Sequence, residues 1–288
     1  MKAALQAFPR VMGIVNVNDD SFSGDGTLDV EHALRQASQM VQDGADIIDV
    51  GAESARTNRG AIEIEEEIAR LLPFIDSFET VCAEVKPRDE LQMWPPLLSV
   101  NTWRPEIVEA VLKTGSVDLI NDIGGMVEDS NARLCFEFGA SLLIMHTVGQ
   151  PKVAHLEQRY DDIWESLEGF FDDRIARANK IGLSEDHIVL DPGIDFAKQS
   201  EDNLRIFSSL ERLQQYGLPV LLPISRKTVI GDVLGIENPR ERDAGTVACL
   251  VRGLAGGANI FRVHNVKAAA DCVRVIAAIR NEPVHSQS

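Results

Sequence analysis

Short apolar runs alternate along this chain with longer segments whose apolar positions recur at helical spacing. The runs are 11–17, 46–51, 97–101, 118–122, 141–146, 187–191, 220–225 and 259–264. Each is dominated by apolar residues and short enough to be a strand. Helical periodicity fills 29–43, 63–74, 105–113, 161–181, 201–216, 240–254 and 268–279. Strands alternating with helices build parallel βαβ units, and eight of them close into a (β/α)8 TIM barrel of the α/β class. A doubly wound open sheet is the alternative. It usually has fewer strands and a glycine-rich first turn, which is missing here.

Length agrees with a single barrel. The 288 residues suit a fold that typically needs about 250, with 1–10 as an N-terminal extension and 283–288 as a frayed tail. The stretch 78–96 is polar and proline-bearing, and reads as a surface excursion before the third strand. A hydrophobic content of 44% with 25% charged residues is that of an ordinary globular protein.

Charge and cysteines narrow the function classes. A net charge of −17 argues against nucleic acid, whose binding needs a basic face, but leaves room for a small anion held by a local basic cluster. The cysteines, at 82, 135, 249 and 272, show no metal or redox spacing and read as reduced thiols. The first ten residues cannot hold a signal peptide's apolar core, and no run is long enough to span a membrane. The expectation is a cytoplasmic enzyme without a membrane partner.

Parallel barrels place their chemistry at the C-terminal ends of the strands, which turns sequence position into proximity. Reading across those ends gives Asn16; Glu53 and Arg56; Asn101; Asn121 and Asp122; His146; Asp191; Ser225, Arg226 and Lys227; and Arg262 and His264. Polar groups in such numbers after apolar strands must bind a ligand or pair with one another. The last two ends supply cations where barrels often hold phosphate, and period two sends Arg262 and His264 to one side of their strand. An arginine fork beside an imidazole suits phosphate or pyrophosphate; pairing with acidic neighbours at the rim is the other reading. Asp191, before Pro192 and Gly193, can accept two hydrogen bonds from an aminopyrimidine edge, and Asn121 can both donate and accept. Residues 16–26 form a glycine- and carboxylate-rich loop fit to cover the site, with carboxylates that suit Mg2+.

Eight segments, in order, resemble one family: MGIVNVNDDSFSGDG, ADIIDVGAESAR, LLSVNT, LINDIGG, IMHT, IVLDPGIDFAK, SRKTVIG and IFRVHNV. They are similar to those of the dihydropteroate synthases from Met12 to about Ile279. The resemblance implies a homodimeric barrel that condenses 6-hydroxymethyl-7,8-dihydropterin pyrophosphate with 4-aminobenzoate, releasing pyrophosphate with the help of Mg2+. It implies that Asn101, Asn121, Asp191 and Lys227 hold the pterin. Arg262 and His264 would hold the pyrophosphate, with Asn16 toward its Mg2+, and Arg56 and Ser225 would line the aminobenzoate path. Lys227, Arg262, His264 and Asp191 are then the expected catalytic residues.

Three departures stand out. Asn101 replaces the family's usual aspartate, keeping the hydrogen-bonding amide and losing the charge, at an expected cost of roughly one to three powers of ten in rate. Ala55 and Thr57 replace the threonine and proline that shape the aminobenzoate pocket, and the first loop loses a proline. A relative that binds pterin without condensing it is therefore an alternative. A methyltetrahydrofolate-dependent methyltransferase of the same superfamily is another, though its substrate has no pyrophosphate for the cations to hold.

Overall fold

The computed structural model describes residues 1–18, 26–53, 60–149, 153 and 157–281. Its strands are β1 (Arg10–Asn16), β2 (Ile47–Gly51), β3 (Leu97–Asn101), β4 (Leu119–Asp122), β5 (Ser141–Met145), β6 (Ile188–Asp191), β7 (Leu221–Leu222) and β8 (Ile260–Val263). All pair in parallel, in the order β6-β5-β4-β3-β2-β1-β8-β7. A bridge from Leu190 to Val220 joins the two ends and closes the barrel. The eight expected strands are all present. The seventh shrinks to two residues, with Val220 forming a single bridge before it and Ser225 already in a turn.

The helices are α1 (Lys2–Ala7), α2 (Val30–Gln42), α3 (Ile64–Ala83), α4 (Pro105–Leu112), α5 (Ser130–Phe138), α6 (Ile163–Ile181), α7 (Ser200–Ser208), α8 (Thr228–Leu234), α9 (Asp243–Ala255) and α10 (Val266–Asn281). Local signals set several boundaries. Asp29 accepts from the amides of Glu31 (3.0 Å) and His32 (3.2 Å) to start α2, and Gly182, in the left-handed region, stops α6. Three expectations change. The expected excursion at 78–96 is helical as far as Ala83, because Phe78 and Cys82 continue the buried stripe of α3 and Phe78 stacks on Phe74. The segment 201–216 splits into α7 and a 3-10 stretch, Leu210–Tyr216. Helices α5 and α8 are additions.

The core has two layers. Between strands and helices lies the larger one, from Val11, Val15 and Val50 outward to Phe74, Phe171 and Leu250. Inside the barrel sit Met12, Ile47, Leu119, Leu143, Val189, Leu221 and Ile260, with Leu5 of α1 among them. The expected N-terminal extension is thus a helix that plugs the bottom of the barrel. Arg10 fastens it, donating to the Ala4 carbonyl through Nε (3.2 Å) and Nη2 (3.0 Å) while its Nη1 pairs with Asp46. Apolar packing around Leu5 fills this end of the barrel, and the strand C-termini form the other.

Candidate active site

Period two decides which strand-end residues face that entrance. Met12, Ile47, Leu119, Leu143, Val189 and Ile260 point inward. Their strand mates two or four residues on therefore include Asn16, Asp49, Asn121, Asp191, Arg262 and His264. Asp122 and His146 have the opposite parity and turn outward. Asp122 accepts from Asn131 Nδ2 of α5 (2.9 Å) and from the Gly124 amide (2.8 Å). The His146 ring meets Ser166 of α6 at 3.1 Å and packs edge-on against Phe170. Burial pulls the His146 pKa well below the usual histidine value, with Lys198 adding to the effect. These two support the wall rather than the entrance.

At the centre is a residue that the ring of strand ends left out. Asp49, in the middle of β2, is fully buried (0% exposed). Its Oδ1 accepts from Ser99 Oγ at 2.6 Å. Its Oδ2 accepts both from Asn121 Nδ2 at 3.0 Å and from Arg262 Nε at 2.7 Å. A buried carboxylate is costly unless paired, and here every partner is another inward residue. Asp49 thereby fixes the Asn121 amide so that Nδ2 is used and Oδ1, buried and without a partner, is left as an acceptor. It fixes Arg262 through Nε, leaving the terminal nitrogens of the fork for an anion. The available signal was a charged residue inside the apolar run Ile47–Gly51.

The remaining expected residues gather around this centre. Asn101 ends β3 in register with Asn121. Asp191 ends β6, its Oδ1 accepting from the Gly193 amide at 2.6 Å. Burial pushes the Asp191 pKa up to about 6, against the Gly193 bond and the cations Lys227, Lys198 and Arg262. Gly193 is required, since its φ is 67° and a Cβ would lie 2.0 Å from the His146 carbonyl oxygen. Lys227 holds its ammonium 4.6 Å from the centre of the Phe196 ring. Ser225 Oγ meets His264 Nδ1 at 2.8 Å and accepts from its backbone amide at 3.1 Å. Asn16 ends β1 beside Gly51.

Two residues of the expected ring are engaged elsewhere. Arg226, with φ 58°, pairs with Asp243 of α9 at 2.7 Å. Glu53 accepts from Arg104 Nη2 at 3.0 Å and from the Ile62 amide at 3.1 Å, so it braces the base of the second loop. Arg56, with Ala55 and Thr57, lies outside the described residues, as do the carboxylates of residues 19–25. Lys198 and Phe196, unforeseen, build the turn after β6. The Lys198 ammonium donates to the carbonyls of His146 (3.1 Å), Gly193 (3.0 Å) and Phe196 (3.0 Å).

The entrance thus joins two chemistries. One side offers buried hydrogen-bond acceptors for a flat heterocycle, and the other offers arginine and histidine for an anion. That pairing on a parallel barrel is a pterin-binding arrangement, and residues 12–264 match the model of that family, the pterin binding enzymes. The chain belongs to this family. Its relatives there include dihydropteroate synthases. The enzyme of Escherichia coli K12 is 35% identical over 271 residues, covering 94% of this chain and 91% of that protein. The Clostridium difficile enzyme, solved in the presence of pteroic acid, superposes with a TM-score of 0.82 at 35% identity, covering 96% of this chain and 98% of that one. The Xanthomonas albilineans enzyme, solved with 4-aminobenzoic acid, gives 0.82 at 33% identity, covering 96% and 94%.

Proposed function

We propose that this protein is a transferase that condenses 6-hydroxymethyl-7,8-dihydropterin pyrophosphate with 4-aminobenzoate, giving 7,8-dihydropteroate and pyrophosphate. The observation that carries this reading is Asp49, which ties an acceptor suited to the pterin (Asn121) to a cation suited to the pyrophosphate (Arg262).

The pterin's amino and ring N–H groups donate to Asp191 and to Asn121 Oδ1, and Asn101 and Lys227 complete the ring's polar edge. The terminal nitrogens of Arg262 and the His264 ring hold the pyrophosphate. The pterin C–O bond breaks with its electron pair going to pyrophosphate, where Arg262 and His264 stabilise the charge. The positive charge left on the pterin methylene is delocalised into the ring, beside Asp191. The aromatic amine then attacks, forming the C–N bond and releasing one proton. No side-chain nucleophile is required. Ser225 and Arg56 line the amine's path.

The described residues contain no cluster of three or more acidic, histidine or cysteine side chains able to hold a metal. A single amide oxygen at Asn16 nevertheless fits Mg2+, which takes one or two protein ligands and fills its shell with water and phosphate oxygens. When bound, the ion would neutralise pyrophosphate charge, with Asn16 holding it from β1.

A homodimer is part of the proposal. Helices α7, α8 and α9, which pack on one another, expose Leu204, Val233 (60%), Leu234 and Val251, apolar side chains that a second copy would cover. The four cysteines are free, and no helix among the described residues is long and apolar enough to cross a membrane.

The test is direct. Purified protein with Mg2+ and both substrates is expected to release pyrophosphate. Tight pterin pyrophosphate binding without release would favour instead a binding protein, the reading that neutral Asn101 motivates.

A further inference from the structure

Helix α8 begins at a residue poorly suited to the position. Lys227 is its N-cap and makes no capping bond of its own. A cation there meets the positive end of the helix dipole, and partial burial disfavours the ammonium further. The missing cap comes from the loop after β6. The Asp195 carboxylate accepts from the amides of Thr228 and Val229, the latter at 3.3 Å. Its Oδ1 also accepts from Asn203 Nδ2 of α7 at 3.1 Å, while the Asp195 amide donates to Asn203 Oδ1 at 3.0 Å. Asp195 reaches this place with φ 66°, a conformation unfavourable for residues with a side chain. The borrowed cap is what offsets it.

We propose that Asp195 is a positioning residue of the pterin site, capping α8 from the neighbouring loop and so holding the Lys227 ammonium over Phe196 and beside Asp191. The proposal rests on the pterin reading of this site. The groups that face Lys227 are Asp195 and Lys198 of the loop, Asp191 of β6 and Arg262 of β8. Arg242 donates to its carbonyl at 3.2 Å. Burial lowers the Lys227 pKa, and Asp195 is the first of the groups that raise it. Removing that one carboxylate leaves Arg262 and Lys198 less opposed.

The experiment measures binding of 6-hydroxymethyl-7,8-dihydropterin pyrophosphate calorimetrically, without aminobenzoate, from pH 6 to 10. It compares wild type, Asp195→Asn, Lys227→Arg and the double variant. The amide introduced by Asp195→Asn keeps an oxygen for the cap and loses the charge, and a melting curve establishes that each variant is folded. Wild-type affinity is expected to fall on the alkaline side as Lys227 loses its proton. In D195N that fall sets in at lower pH, so affinity on the alkaline side drops several-fold below wild type with less than threefold change at pH 6.5. In the K227R background D195N produces no such displacement, because arginine stays charged. Coincident profiles for wild type and D195N would overturn the proposal, as would a loss of the same size, at any pH, with Lys227→Arg in place. A wild type that binds no pterin pyrophosphate overturns the site reading itself.

Discussion

Replacing Asp49 by asparagine separates the two halves of the site. The amide can turn its oxygen toward Asn121 and Arg262, and Ser99 can reverse its hydroxyl to accept, so the shape survives and the charge goes. A hydrogen bond to a charged partner contributes about 1.5–3 kcal/mol. With the Asn121 bond at 3.0 Å and part of it retained by the amide, about 2 kcal/mol of orientation is lost. That predicts pterin affinity lower by about 30-fold. Pyrophosphate responds differently. Loss of the Asp49 charge loosens Arg262, but it also removes a repulsion of roughly 2 kcal/mol between unit charges about 7 Å apart at an effective dielectric of about 20. The two effects have opposite signs, so pyrophosphate affinity is expected to change by less than about fivefold. Arg262 is 19% exposed, so solvent relieves the unpaired guanidinium and the variant is expected to fold. Calorimetry with 6-hydroxymethylpterin and, separately, with Mg2+ and pyrophosphate reads the split. Unchanged pterin affinity, or a 30-fold loss confined to pyrophosphate, would refute the role given to Asp49.

Other outcomes follow from the same geometry. Because burial holds Asp191 near pH 6, and only its carboxylate form accepts from the pterin, kcat/KM should fall about tenfold per unit below about pH 6. A plateau to pH 5 would contradict this. The raised pKa also means that the folded protein takes up the Asp191 proton before the unfolded chain does, so this group's contribution to stability rises as pH falls from about 6 toward 4. Comparing denaturation midpoints of wild type and D191N over that range checks the sign. Asn101→Asp places a second carboxylate in the same mouth as buried Asp49, where like charges oppose ionisation. Its gain in kcat is therefore expected to stay under about tenfold, below the roughly one to three powers of ten expected from the family's usual aspartate alone; a hundredfold gain would show that the charge is missed. Leu5→Ala, at a residue 1% exposed inside the barrel, should cost about 2–5 kcal/mol of stability with kcat unchanged, read by denaturant unfolding and steady-state kinetics.

The strands were legible because their apolar runs are short and evenly separated, and the barrel followed from counting them. Lys227 after β7 and Arg262 near the end of β8 were placed at the entrance from their position alone, whereas Arg226 turns away to Asp243. Asp49 was missed because it lies within a strand, although an aspartate among isoleucine and valine is a charge that must be paired. The outward turn of Asp122 and His146 follows from strand parity, which the ring of strand ends ignored. Helix α8 is seven residues long with Gly231 inside it, too short for a helical period to register. The loop after β6 was opaque for another reason. Asp195 and Ala197 adopt φ of 66° and 50°, and no local pattern predicts side chains there.

The most direct test of the central claim quantifies both products when the purified protein is given pterin pyrophosphate, 4-aminobenzoate and Mg2+. Dihydropteroate and pyrophosphate are expected in equal amounts, with neither formed when the protein is omitted. Pterin pyrophosphate bound tightly but recovered intact, with neither product formed, would contradict the assignment.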